Sequence, residues 1–107
     1  LGHMRQAAQE ASDFVAGMTR EAFKADLRTQ KAVEMNLVVI GEAASRLLDQ
    51  HPEFAKRHPE MPWREMRGMR NRMAHGYFEI DLEVVWSTVQ TALPALRAQI
   101  DALPTED

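Results

Sequence analysis

The sequence predicts an all-α protein, a bundle of four to five antiparallel helices, and three observations predict it. Apolar residues recur with the 3.6-residue period of a helix, and no stretch alternates apolar and polar residues as a half-buried strand does. Capping residues stand before the apolar stripes, and glycine or proline stands behind them. No internal repeat or low-complexity tract interrupts the pattern. At 107 residues the chain suits one domain spanning 1–107.

The first stripe is Met4, Ala7, Ala8, Ala11, Phe14, Val15 and Met18, which predicts an amphipathic helix over 3–18 ending near Gly17. The opening Leu1-Gly2-His3-Met4 looks like a tag scar, but Met4 begins the stripe, which favours native sequence lacking an upstream residue or two. Thr19 caps a short second helix, TREAFKADL, with Glu21 in its positive first turn. A long helix follows over 29–50, with Thr29 as its cap. Its main stripe is Val33, Leu37, Ile40, Gly41, Ala44, Leu47 and Leu48. A second stripe, Ala32, Met35, Val39 and Ala43, makes two sides of this helix apolar, so two covers are needed and the second is expected to be another subunit. Glu42 and Arg46 read as an ordinary i,i+4 pair on the helix face.

Residues 51–62 hold three prolines and predict a loop. Pro62 suits the first position of a helix over 62–75, which Gly76 ends. The last helix has Asp81 as cap and Ile80 and Val85 as a hydrophobic staple. Leu82, Val85, Trp86, Val89, Leu93, Leu96, Ile100 and Leu103 run down one face, and Pro94 within the run predicts a kink.

With 45% hydrophobic and 27% charged residues, the composition is that of an ordinary globular protein. Without cysteine there is neither a disulfide framework nor a thiolate metal site, which fits a cytoplasmic setting. No apolar run approaches the roughly 20 residues that span a bilayer, and no secretory signal pattern opens the chain, so no membrane partner is expected. His3, His51, His58 and His75 lack the spacing of a helical metal site, and no phosphate loop, GxSxG or HExxH occurs. Neither a metal nor a cofactor is expected. The net charge of −3 is unevenly spread: residues 54–78 carry six Lys/Arg against two Glu, and residues 79–107 one Arg against six acids. The basic stretch either attracts a polyanion or is simply a solvated helix face.

Candidate function lies where local rules fail. On the helix over 62–75, Trp63, Met66, Met73 and Ala74 fall within a sector of about 100°, and Arg70 lies inside it. A guanidinium keeps its charge, so Arg70 must either meet a carboxylate, with Glu42 as one candidate, or line a cleft. His75 lies about 140° around a regular helix from Arg70, whereas Asn71 and His75 are neighbours at i,i+4. The two would face one cleft only if the backbone turns at His75-Gly76 or a second subunit completes the site. Tyr77 either anchors the turn with Phe78 or presents its hydroxyl to a partner.

The segment RNRMAHGY, Arg70 to Tyr77, resembles the Rx4–6H motif of the HEPN superfamily of helical ribonucleases, and its His75-Gly76-Tyr77 extension resembles the RX4HxY form of HepT-like toxins. EMNLVVIGEAASRL on the long helix and LPALRAQI near the end are similar to that family as well, so the likeness covers nearly the whole chain. The resemblance implies a HEPN-type bundle that forms a homodimer through helix faces, with both motif segments lining an interfacial cleft. It implies metal-independent RNA cleavage with Arg70, His75 and Asn71 as catalytic residues, beside RNA-binding Arg64, Arg67 and Arg72. It also implies a toxin–antitoxin pair in which a minimal nucleotidyltransferase antitoxin transfers AMP to Tyr77. The alternatives are a non-catalytic module that binds RNA, a nucleotide or a partner, and a purely structural role for Arg70 and His75 in the dimer.

Overall fold

The structure, a computed structural model, describes residues 2–75 and 80–103, and for His75 only the backbone. Among these residues every regular element is a helix. The order is α1 (Gly2–Phe14), α2 (Arg20–Lys24), α3 (Leu27–Gln50), α4 (Pro52–Arg57), α5 (Trp63–His75), α6 (Leu82–Ser87), a π-helical turn (Thr88–Ala92) and α7 (Leu93–Ala102). No described helix is long and apolar enough to cross a membrane.

α3 is the spine. It packs against α1 and α5 along its main stripe, and α7 closes on α1. Val33, Leu37, Ile40 and Ala44 of α3 are buried together with Met4, Ala8 and Ala11 of α1 and with Val85, Val89, Leu96 and Ile100 further on. These are the apolar positions read from the periodicity, because non-directional burial of an apolar stripe is what holds a helix of this size in a fold.

The ends of the elements differ from expectation. α1 stops at Phe14 rather than running to 18, and a turn closed by Met18 N–H to Val15 O at 2.9 Å leads to Gly17 with φ of +77°. Val15 is still buried beyond the helix, whereas Phe14, counted in the stripe, is exposed. α2 is capped as expected, with Thr19 Oγ1 accepting from Ala22 N–H at 3.1 Å. It ends at Lys24, three residues early, where the Gln30 amide donates to the carbonyls of Phe23 and Lys24 at 2.9 Å each. α3 is capped by Asp26 and not Thr29, so it begins two residues sooner. Asp26 Oδ1 accepts from Thr29 N–H at 3.1 Å and Oδ2 from the Thr29 hydroxyl at 2.7 Å, and these bonds hold the carboxyl below its ordinary pKa. Thr29 thus serves the cap from the other side.

The expected loop at 51–62 contains α4. Pro52 supplies a ready φ at a helix start, where its missing N–H costs nothing, and Phe54 and Ala55 are buried. Pro59 and Pro62 then keep the chain non-helical until α5, whose Trp63 indole donates to His58 O at 3.0 Å. Asp81 caps α6 through Glu83 N–H at 2.9 Å, and Val85 is buried while Ile80 packs partly buried against the core. Near Pro94 the irregularity takes the form of a π turn, with Leu93 N–H reaching Thr88 O five residues back. A widened turn makes room for the ring that a regular turn would meet with a carbonyl.

The second stripe of α3 is only partly covered. Val39 and Ala43 pack against the core, whereas Met35 is 62% exposed.

Candidate active site

α3 and α5 run antiparallel, with Asp49 beside Arg67 and Glu42 and Ser45 beside Arg70. What lets them approach is Gly41. A Cβ there would lie 2.6 Å from Met66 O and 3.2 Å from Arg70 Cα, and closer still to Arg70 Cβ. The absent side chain therefore brings the α5 backbone against α3 at the turn that carries Arg70.

Arg70 enters the interface as its place in the apolar sector required. Trp63, Met66 and Met73 are buried on the same face, while Ala74, at the sector's edge, is exposed because the contact strip between two helices is narrower than the sector. The Arg70 side chain is 24% exposed. Its Nη2 donates to Ser45 Oγ at 2.9 Å, and its Nε lies 3.7 Å from Glu42 Oε2. That separation counts as an ion pair but is too long for a hydrogen bond, and Nε is buried with no hydrogen-bond partner among the described residues. Glu42 is shared, since Arg46 Nε lies 3.4 Å from its Oε1. The carboxylate reading of Arg70 thus holds in part, since Glu42 stands beside it but imperfectly placed, and the side chain is partly open to solvent at the edge of a packed interface.

α5 continues as a helix through His75. Over the described residues the backbone does not loosen before that position, so His75 stays about 140° around the axis from Arg70, with exposed Asn71 between them. The turn expected at Gly76 and the candidate residue Tyr77 lie outside the described residues. Arg67 is half-buried and pairs with Asp49 at 3.5 Å. Arg64 is exposed and, with Arg67 and Lys56, lines a groove of about 510 Å³ where α4 meets α3 and α5. Arg72 does not join this group. It lies about 160° from Arg70 around the helix, along the outer side at Gly68.

Glu42, a candidate partner of Arg70 from the sequence, does pair with it. Two residues near the site escaped the sequence reading, Ser45 and Lys56. Ser45 carried a usable signal, being a polar residue one turn from Gly41 on the buried side of α3. It is the mirror of Arg70 on α5.

A family model described as HepT-like, Ribonuclease HepT-like, matches residues 4–103. The chain belongs to the HepT-like ribonuclease family. Among its relatives, a protein of Thermococcus cleftensis named "Probable ribonuclease HepT" is 36% identical over 103 residues, covering 96% of this chain and 91% of that protein. A Caldanaerobacter subterraneus protein named as a "Putative RNase" is 32% identical over 94% of this chain and 87% of its own length. A Methanocaldococcus jannaschii protein, also named as a "Putative RNase", is 39% identical over 77% of this chain and 65% of its own length. No solved structure matches the chain. The HepT-like assignment is consistent with the all-helical architecture of the described residues.

Proposed function

We propose that this protein is a metal-independent endoribonuclease, the toxin of a toxin–antitoxin pair, with Arg70, Asn71 and His75 at its active site. The observation that carries the reading is Arg70 itself. A guanidinium in an apolar helix interface, with a buried Nε–H that has no hydrogen-bond partner among the described residues, is an expensive way to join two helices and a useful way to present a positive charge. In a HepT-like ribonuclease the natural ligand for that charge is an RNA phosphate.

The chemistry needs little else. The ribose 2′-oxygen attacks the adjacent phosphorus, the bond to the 5′-oxygen breaks, and a cyclic phosphate and a 5′-hydroxyl result. Arg70 offsets charge on the phosphate oxygens as they become more negative. The imidazole of His75 takes the 2′-OH proton or returns one to the leaving oxygen. Asn71 lies between the two positions and supports either by hydrogen bonding. Arg64 and Arg67 extend the positive surface along α5 for the flanking RNA backbone. On a continuous helix Arg70 and His75 face different directions, so we assign completion of the cleft to a second copy of the chain. The open side of α3 around Met35 is the surface such a homodimer would cover.

Expression without an antitoxin tests this reading. Wild type should arrest growth and cleave RNA in excess chelator, and Arg70→Ala and His75→Ala should each relieve the arrest. Harmless wild type with no RNA products, or cleavage that needs a metal ion, would defeat it. Regulation belongs to Tyr77. A nucleotidyltransferase antitoxin that transfers AMP to its hydroxyl would put phosphate where RNA phosphate binds, occupying Arg70 and repelling substrate. Intact mass after incubation with the antitoxin and ATP should rise by whole AMP units in wild type and stay unchanged in Tyr77→Phe.

A further inference from the structure

Arg70 does not hold its own direction. Its side chain is long and part-exposed, its Glu42 contact lacks hydrogen-bond geometry, and Glu42 is also engaged by Arg46. The one hydrogen bond that the described residues give its guanidinium comes from α3: Ser45 Oγ accepts from Nη2 at 2.9 Å. Ser45 is 8% exposed, so water competes poorly for that oxygen. Among the described residues Nη1 has no hydrogen-bond partner.

We propose that Ser45, with Glu42 beside it, is the positioning residue for Arg70, gripping one arm of the guanidinium so that the other meets the RNA phosphate. The inference rests on the ribonuclease reading of the same site and adds the device that aims its charge. Three parts make the device. Gly41 lets the helices touch, Ser45 sets the rotation of the guanidinium plane, and the Glu42 carboxylate keeps the cation in the interface. A planar fork stabilises a phosphorane-like charge only in the right orientation, so the grip should matter in the transition state more than in RNA binding.

Single-turnover cleavage of a short single-stranded RNA separates positioning from packing. Ser45→Ala should lower the cleavage rate at saturating RNA about tenfold and leave the half-saturating concentration within about twofold. Ser45→Thr, which keeps the acceptor, should recover most of the rate. In an Arg70→Ala background, Ser45→Ala should cost less than about twofold, because the group it acts through is gone. An equal loss in both backgrounds, or a wild-type rate in Ser45→Ala, overturns the proposal. Should Ser45→Ala not fold, Ser45→Cys, similar in size and a weak acceptor, takes its place.

A second measurement needs no cleavage. The Arg70 Nε–H proton, identified in NMR spectra by its loss in Arg70→Lys, should exchange slowly with water in wild type and at least about tenfold faster in Ser45→Ala. An inert wild type that still shows this contrast would sink the ribonuclease reading and leave the grip on Arg70 standing. Fast exchange in both proteins would sink the grip itself.

Discussion

Arg70→Met should abolish RNA cleavage and leave the protein as stable as wild type. The expected loss is about 10²–10³-fold, or about 2.7–4 kcal/mol, the usual effect of removing one preorganised donor from a developing anion. Stability should change by no more than about 1 kcal/mol in either direction, because exchanging a partly buried ion pair for an apolar side chain of similar length is often neutral or favourable. The surroundings tolerate the exchange. Glu42 is about half exposed and keeps Arg46, so no charge is stranded. Ser45 loses a donor, but a helical serine can turn its hydroxyl to a carbonyl one turn back. Met66 and Met73, already buried on that face of α5, offer apolar contact to the new side chain. Denaturant titration and a cleavage assay on the same preparation decide the matter. A variant that unfolds, or one that still cuts RNA at the wild-type rate, would make Arg70 a structural residue after all.

The second large effect is expected at Gly41, where two physical terms oppose one another. Replacing a mid-helix glycine with alanine ordinarily stabilises a protein by about 1 kcal/mol, because the unfolded chain loses freedom. At Gly41 the added methyl would meet backbone atoms of α5, Met66 O at 2.6 Å and Arg70 Cα at 3.2 Å. Backbone cannot rotate aside as a flexible side chain can, so the helices must separate, and overpacking of this kind costs about 1–3 kcal/mol. Overpacking should win. Gly41→Ala is expected to lower the denaturation midpoint, and to lower cleavage further than the loss of folded protein explains, because it pulls Arg70 away from Ser45. Gly68 supplies the control, since a Cβ there would find only the end of the Arg72 side chain, at 3.9 Å. Gly68→Ala should stabilise by about 0.5–1 kcal/mol. If both alanines stabilise, the close approach at Gly41 is not the constraint described here.

Much of this protein was readable from its residues, and the errors have local causes. The stripe of α1 packs in the core at every position but Phe14, and its period does not say where the helix stops. Val15 and Met18 fit the period and pack in the core from a turn rather than a helix. Asp26 and Thr29 are both capping residues three apart, and only the direction of the hydrogen bonds shows which leads. Proline at 52 was read as a breaker although it also starts helices, and the buried pair Phe54 and Ala55 is what turns that start into α4. Pro94 was expected to kink the last helix, and the irregularity found there is a widened turn just before it.

Arg70 shows where the boundary lies. The sequence by itself determined that the protein is helical, which faces are apolar, and that one cation stands where only apolar groups belong, because each of these follows from a period within a single element. The match to the motif Arg70-x4-His75-x-Tyr77 belongs to the same level. Only the tertiary structure decided what Arg70 meets. Gly41, Glu42 and Ser45 lie on α3, at least 25 positions away in the chain, and the sequence offered Glu42 as one possible partner without showing that Gly41 and Ser45 stand beside it. Their role arises from the register in which two helices pack, set by the whole interface at once and closed to contact distance by one missing side chain.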